Sequence, residues 1–223
     1  VYVIDYVKNC KIKNNVISNV GGGGITSLSY ELRGIVIKGN EKWIEELGYP
    51  YYMGEKRNCR VKYNLIENNF INHVSIITGH GSGIDFLHND TGYNYVQYNK
   101  VYDVRRMGIH WGFSADRDYI RYNDVSNAMN GTEDGGLIYT SFEPGSGGVA
   151  VINNYLHDAN SNYTGIAGIY HDENSNGVYT RDNVVERLGA NEPAFDDQHL
   201  PPLVATLQFL KGVNMMVFNN IYA

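Results

Sequence analysis

Cysteine is nearly absent: Cys10 and Cys59 are the only two in 223 residues, too few for a fold stapled by several disulfides. Basic residues are also short, with 18 Lys and Arg against 24 Asp and Glu and a net charge of −6. That balance argues against a nucleic acid partner, whose phosphates demand clustered cations. No apolar run reaches the ~18 residues of a membrane-spanning helix, and no signal peptide opens the chain. Helical periodicity is scarce too, and only Glu41–Leu47 reads as a short helix. What remains in quantity is 25 Gly and 19 Tyr. Tyr fills strands, and its ring also packs against the C–H faces of sugars. The length suits one domain, 1–223, with a sizeable core. Val1 in place of Met, and a stop just after Asn220, mark the chain as a piece of something longer.

One asparagine recurs at irregular intervals, as Asn15, Asn64, Asn99, Asn123, Asn154, Asn183 and Asn220. Three residues before these stand Ile12, Val61, Val96, Ile120, Val151, Thr180 and Val217, and two residues after them Ile17, Ile66, Val101, Val125, Leu156, Val185 and Tyr222. A period-2 apolar pattern that breaks at a polar residue and resumes describes strands turning a corner. Four residues beyond the asparagine another polar group recurs, as Asn19, Asn68, Asp103, Asn127 and Asp158. Asn and Asp tolerate the left-handed angles of such bends, and stacked asparagines bond one another through their amides. The expected fold is all-β: a right-handed parallel β-helix, or solenoid, with an Asn ladder.

Long excursions are expected at about 29–58, carrying Trp43, Glu45, Glu46 and the Tyr49–Tyr52 cluster, and at 189–202, carrying Asp196, Asp197 and His199. Long loops on a rigid scaffold are usually functional walls. The last three residues match no strong ligand pattern, so neither a metal nor a cofactor is expected. Cys10 and Cys59 each lie five residues before a ladder asparagine. Stacked coils would therefore set one sulfur over the other, as buried free thiols or as a disulfide.

A second set of strands follows glycine, at Gly24-Ile25, Gly83-Ile84, Gly108-Ile109, Gly136-Leu137 and Gly168-Ile169. Stacking these places Asp85, His110, Asp134 and Asp172 on or near one face. Paired carboxylates on neighbouring strands suit glycoside hydrolysis, in which one acid protonates the leaving oxygen while the other carboxylate attacks the sugar or activates water. Asp134 and Asp172, about one coil apart, are the expected catalytic pair. His110 is expected to bond a sugar hydroxyl or orient the acid, and Trp111, Tyr139 and Tyr170 to offer stacking faces. Asp85, Glu133, His171 and Glu173 complete the candidate substrate contacts. Each has a plainer reading, since Asp-Gly-Gly is often only a turn and Asp and Asn often only form corners.

The run Glu133-Asp134-Gly135-Gly136-Leu137-Ile138-Tyr139-Thr140, then Asn153-Asn154-Tyr155-Leu156-His157-Asp158, then Gly168-Ile169-Tyr170-His171-Asp172 resembles parallel β-helix carbohydrate-active proteins, and most closely glycoside hydrolase family 141 and its relatives. The resemblance runs from about Asn15 to Leu188. It implies α-L-fucosidase- or xylanase-type activity on plant cell-wall glycans, with Asp134 and Asp172 at the positions of the proposed catalytic pair. Leu137 departs from that pattern, as do His171 and Glu173 beside the second Asp, and these departures touch the rim that selects the sugar. A secreted, periplasmic or cell-surface protein is the corresponding expectation.

Two other readings stand beside this one. A polysaccharide lyase would need a base and charge neutralisation near a uronate, with Arg105, Arg106 and Arg117 as the candidates near His110. A non-catalytic glycan-binding or adhesin β-helix explains the ladder and the Tyr content equally well.

Overall fold

A computed structural model describes residues 2–4, 7–28, 61–78, 81–87, 91–112, 115–132, 134–141, 148–161, 165–172, 175, 177–190, 203–209 and 215–223. The expected helix at Glu41–Leu47, the excursion at 29–58 and Cys59 lie outside these residues, as do Asp196, Asp197 and His199. The second excursion starts later than expected, because the strand Val184–Ala190 runs through Gly189.

The chain winds into coils whose strands stack in parallel as three sheets of seven, nine and seven strands. Sheet A contains Ile25–Leu28, Ile84–Leu87, Ile109–Gly112, Gly136–Ser141, Gly165–His171 and Leu203–Phe209, with Tyr2–Ile4 at its edge. Sheet B follows the residues before the asparagine corner, and sheet C the residues after it. The core is the inside of the coil. Ile66, Val96, Ile120 and Val151 stack on sheet B, Ile71, Val101, Val125 and Leu156 on sheet C, and Ile84, Ile109, Ile138 and Ile169 on sheet A. All are 3% exposed or less, and each such side chain contributes about 1.5–3 kcal/mol by leaving water.

Corners recur because three columns of residues adopt left-handed backbone angles. One is Asn14, Asn68, Tyr98, Tyr122, Asn153, Asp182 and Asn219, just before the ladder asparagine, the second is Asn19, His73, Asp103, Asn127, Asp158 and Arg187, and the third is Asn9, Tyr63, Tyr93 and Arg117. The glycine before the sheet A strand has a different cause. A Cβ on Gly108 would sit 2.3 Å from Val125 Cγ1 and 2.7 Å from the Leu137 carbonyl oxygen, so in this coil sheet A closes on sheet C because a side chain is missing.

The asparagine ladder exists, with one rung misplaced by the sequence reading. Each Nδ2 donates to the next Oδ1 in the order Asn15, Asn69, Asn99, Asn123, Asn154, Asn183 and Asn220, at 2.8–3.0 Å. Asn69, rather than Asn64, holds the second place. Ile66 and Ile71 accordingly replace Val61 and Ile66 in the flanking columns, and His73 replaces Asn68 at the following bend.

Asn64 belongs to a second, shorter ladder one corner earlier, donating to Asn94 Oδ1 (3.0 Å), which in turn donates to Asp118 Oδ1 (2.9 Å). The second and third coils thus carry asparagine at both corners, Asn64 with Asn69 and Asn94 with Asn99. The Cys10 backbone N–H donates to Asn64 Oδ1 (2.9 Å), and Cys10 is exposed rather than buried. On sheet A the register places Ile138, not Leu137, beside Ile109 and Ile169, so Leu137 fills the position that other coils give to glycine.

Candidate functional site on the outer face of sheet A

Strand alternation settles which sheet A residues reach the outer face. Ile84, Ile109, Ile138 and Ile169 point inward, so their successors Asp85, His110, Tyr139 and Tyr170 form an outward column in register. These four are only 4–9% exposed although they lie on the outside of the coil. His110 Nδ1 stands 3.1 Å from Asp85 Oδ1. His110 Nε2 is buried and has no hydrogen-bond partner among the described residues, which is uncommon for a buried ring nitrogen. The imidazole meets the Tyr139 ring edge-on at 5.1 Å, and Tyr139 meets Tyr170 edge-on at 5.2 Å.

Both phenols end on one carboxylate. The Tyr139 hydroxyl donates to Asp172 Oδ2, and the Tyr170 hydroxyl donates to Asp172 Oδ1 at 3.0 Å. The backbone of Asp172 is held as well, its N–H donating to the Thr140 carbonyl at 2.8 Å and its own carbonyl accepting from Ser175 N–H at 3.0 Å. Asp172 therefore follows the outward column at the end of Gly165–His171, with both carboxylate oxygens oriented.

Asp134 arrives from the other end of the neighbouring strand. The connection Met129–Gly135 is longer than its counterpart Arg105–Gly108 in the previous coil, and Asp134 takes a left-handed φ of 62° within it. Its carboxylate is 66% exposed, with Arg106 Nη2 at 3.9 Å. Its charge nevertheless reaches Tyr139. Burial pushes the Tyr139 phenol far above its ordinary range, and the hydrogen bond and charge of Asp172, then the charge of Asp134, push it further. Tyr139 is thus a permanent donor standing within the field of both acids.

Two expected substrate contacts are corrected. Trp111 is two residues beyond the inward Ile109 and points inward with it. It is 0% exposed, stacks on Phe86 at 3.9 Å and donates to Asp118 Oδ2 at 3.2 Å, so it is core rather than a sugar platform. His171 is likewise inside, at 0% exposure, with Nδ1 2.7 Å from Thr140 Oγ1 and Nε2 2.8 Å from Thr180 Oγ1. Burial pushes its imidazole down to about 3, so it stays neutral. Tyr139 and Tyr170 are on the right face but too buried to offer a ring to a sugar, and they hold Asp172 instead. Glu133 and Glu173 lie outside the described residues.

The sequence reading missed the use of these phenols, although Tyr139 and Tyr170 share the outward phase of His110. Of the arginines, Arg117 sits at a sheet B corner and donates to the Tyr93 hydroxyl (2.9 Å), and Arg105 donates to the Ile76 carbonyl (3.0 Å). Only Arg106 is seen to face the site. Among the described residues no group of His, Cys, Asp and Glu is arranged to hold a metal ion, and no helix is long and apolar enough to cross a membrane.

No protein-family model matches the chain, and neither a curated protein nor a solved structure does. The likeness to glycoside hydrolase family 141 therefore rests on the motifs that carry it.

Proposed function

We propose that the outer face of sheet A is a glycosidase site acting on a complex glycan of the plant cell-wall type. The observation that carries this is the hold on Asp172: the Tyr139 and Tyr170 hydroxyls donate to its two oxygens, and Asp134 stands on the connection into the neighbouring strand Gly136–Ser141. Glycoside hydrolysis uses two carboxyl groups, one on each side of the scissile bond. Asp172, with donors on both oxygens, is the carboxylate that attacks the anomeric carbon or activates water. Asp134, open to solvent beside Arg106, has the room to protonate a leaving sugar. We take the coil to be right-handed, the hand of nearly all parallel crossovers, and the protein to work outside the cytoplasm.

The test is release of reducing sugar from a panel of neutral plant glycans by the wild-type chain, Asp134→Asn and Asp172→Asn. Each variant should lose about 10³-fold or more with an unchanged circular dichroism spectrum. Wild-type turnover in either variant, or no product from any glycan, would defeat the reading. A non-catalytic glycan-binding solenoid is the second reading, favoured by the exposure of Asp134. It expects saturable binding with no product after long incubation.

A further inference from the structure

Sheet C has its own feature on its outer face, away from the reacting groups of sheet A. Phe70, Lys100, Tyr102, Ser126, Asn127 and Asp158 line an open groove of about 610 Å³, within the ~300–1,000 Å³ that small-molecule sites occupy. Phe70 pairs with Lys100, Tyr102 pairs with Ser126, and Asp158 lies on the next strand, Tyr155–Ser161, so the groove is built from four successive coils.

Three observations define what it would hold. Phe70 and Tyr102 are 37% and 41% exposed, and among the described residues neither is stacked against another ring, unlike the paired rings Tyr98 and Tyr122 at 5.1 Å. Each thus keeps an open face. Uncharged polar groups stand among them: the Ser126 hydroxyl and the Asn127 amide, whose Nδ2 donates to Asp103 Oδ1 at 3.3 Å and whose oxygen carries a second polar site. The charges, finally, are already satisfied within the protein. Lys100 Nζ lies 3.4 Å from Asp124 Oδ2. Asp158 accepts from Arg187 Nη2 at 2.9 Å and faces His157 Nδ1 at 2.6 Å, while Arg187 also binds Glu186. A charged ligand would have to compete with these pairs, whereas an apolar one would strand the hydroxyl and the amide. Aromatic faces spaced among neutral donors and acceptors suit a neutral polyhydroxylated chain.

We propose that this groove is a second, non-catalytic site for a neutral saccharide, which holds a glycan on sheet C while sheet A remains free to react.

The experiment titrates neutral xylo-, cello- and galacto-oligosaccharides, and oligogalacturonate of the same length, into Asp172→Asn protein, with affinity read by calorimetry. A neutral oligosaccharide should bind, and adding Tyr102→Ala or Phe70→Ala should weaken it about tenfold without moving the melting temperature. In the otherwise native chain, Tyr102→Ala should leave the hydrolysis rate of a small chromogenic glycoside unchanged. Preference for oligogalacturonate, no binding by any neutral oligosaccharide, or affinity unchanged in both aromatic variants would overturn the proposal. Binding that depends on Tyr102, in a chain that hydrolyses nothing, would leave this site standing and remove the glycosidase reading alone.

Discussion

A carboxylate with a phenol on each oxygen, as at Asp172, has little freedom left in its torsions. Tyr139 and Tyr170 act through Asp172 and are positioning residues, so removing a hydroxyl should cost rate rather than fold. Tyr139→Phe and Tyr170→Phe are each expected to lower kcat about tenfold, the worth of one net hydrogen bond, with KM and melting temperature near wild type. Steady-state kinetics beside a thermal melt check this, and a lowered melting temperature with unchanged kcat would assign the tyrosines to the scaffold. Much at this scale was legible. Period-2 alternation from Ile109 and Ile169 already implied that Trp111 and His171 face inward, and that Tyr139 and Tyr170 share a side with His110. Residue chemistry, a Trp and a His beside candidate acids, pulled the expectation against that phase. That both phenols would close on one carboxylate was not legible, because it depends on rotamers across two coils.

The strand and its corner are the repeating element, and the ladder amide is what each corner satisfies. Asn123 Oδ1 accepts from the Asn99 backbone and side chain, while its Nδ2 donates to Asn154 Oδ1 and to the Val96 carbonyl. Asn123→Ala would leave these partners buried and unpaired, for an expected loss of about 3–5 kcal/mol. Asn15, exposed at the first rung, should cost under about 1 kcal/mol as Asn15→Ala. Urea unfolding of the two variants compares them, and equal losses would refute the ladder as a source of stability. The element scale is also where the sequence was ambiguous. The stretch Val61–Val74 satisfies the corner pattern at both Asn64 and Asn69, so local sequence fits either choice. Pairing with the coils on each side decides between them.

Two buried titratable groups act on the molecule as a whole. Asp118 closes the short ladder with donors from Thr91, Trp111 and Asn94, all neutral, and burial pushes its carboxyl up from 3.8 to about 7. Between those values the folded chain binds more protons than the unfolded one, so this group lowers stability as pH rises. His171 has the opposite sign. Depressed from 6.5 to about 3, it leaves the unfolded chain with more protons in that range, so stability rises with pH. The two oppose each other between about pH 4 and 6.5. Asp118→Asn should expose the His171 contribution as a melting temperature that climbs from pH 4 to 6.5, and His171→Gln the reverse slope. Parallel curves for the two variants would contradict the assignment.

At this scale the three-sheet solenoid followed from the asparagine spacing and the apolar columns, whereas the roles of the acids rest on the proposed chemistry. The decisive measurement is the hydrolysis rate of a neutral plant glycan by Asp134→Asn, Asp172→Asn and the double variant. Two acids working on one glycosidic bond should be non-additive, with the double variant no slower than the slower single one. Losses that multiply, or turnover retained in either single variant, would contradict a shared site on sheet A.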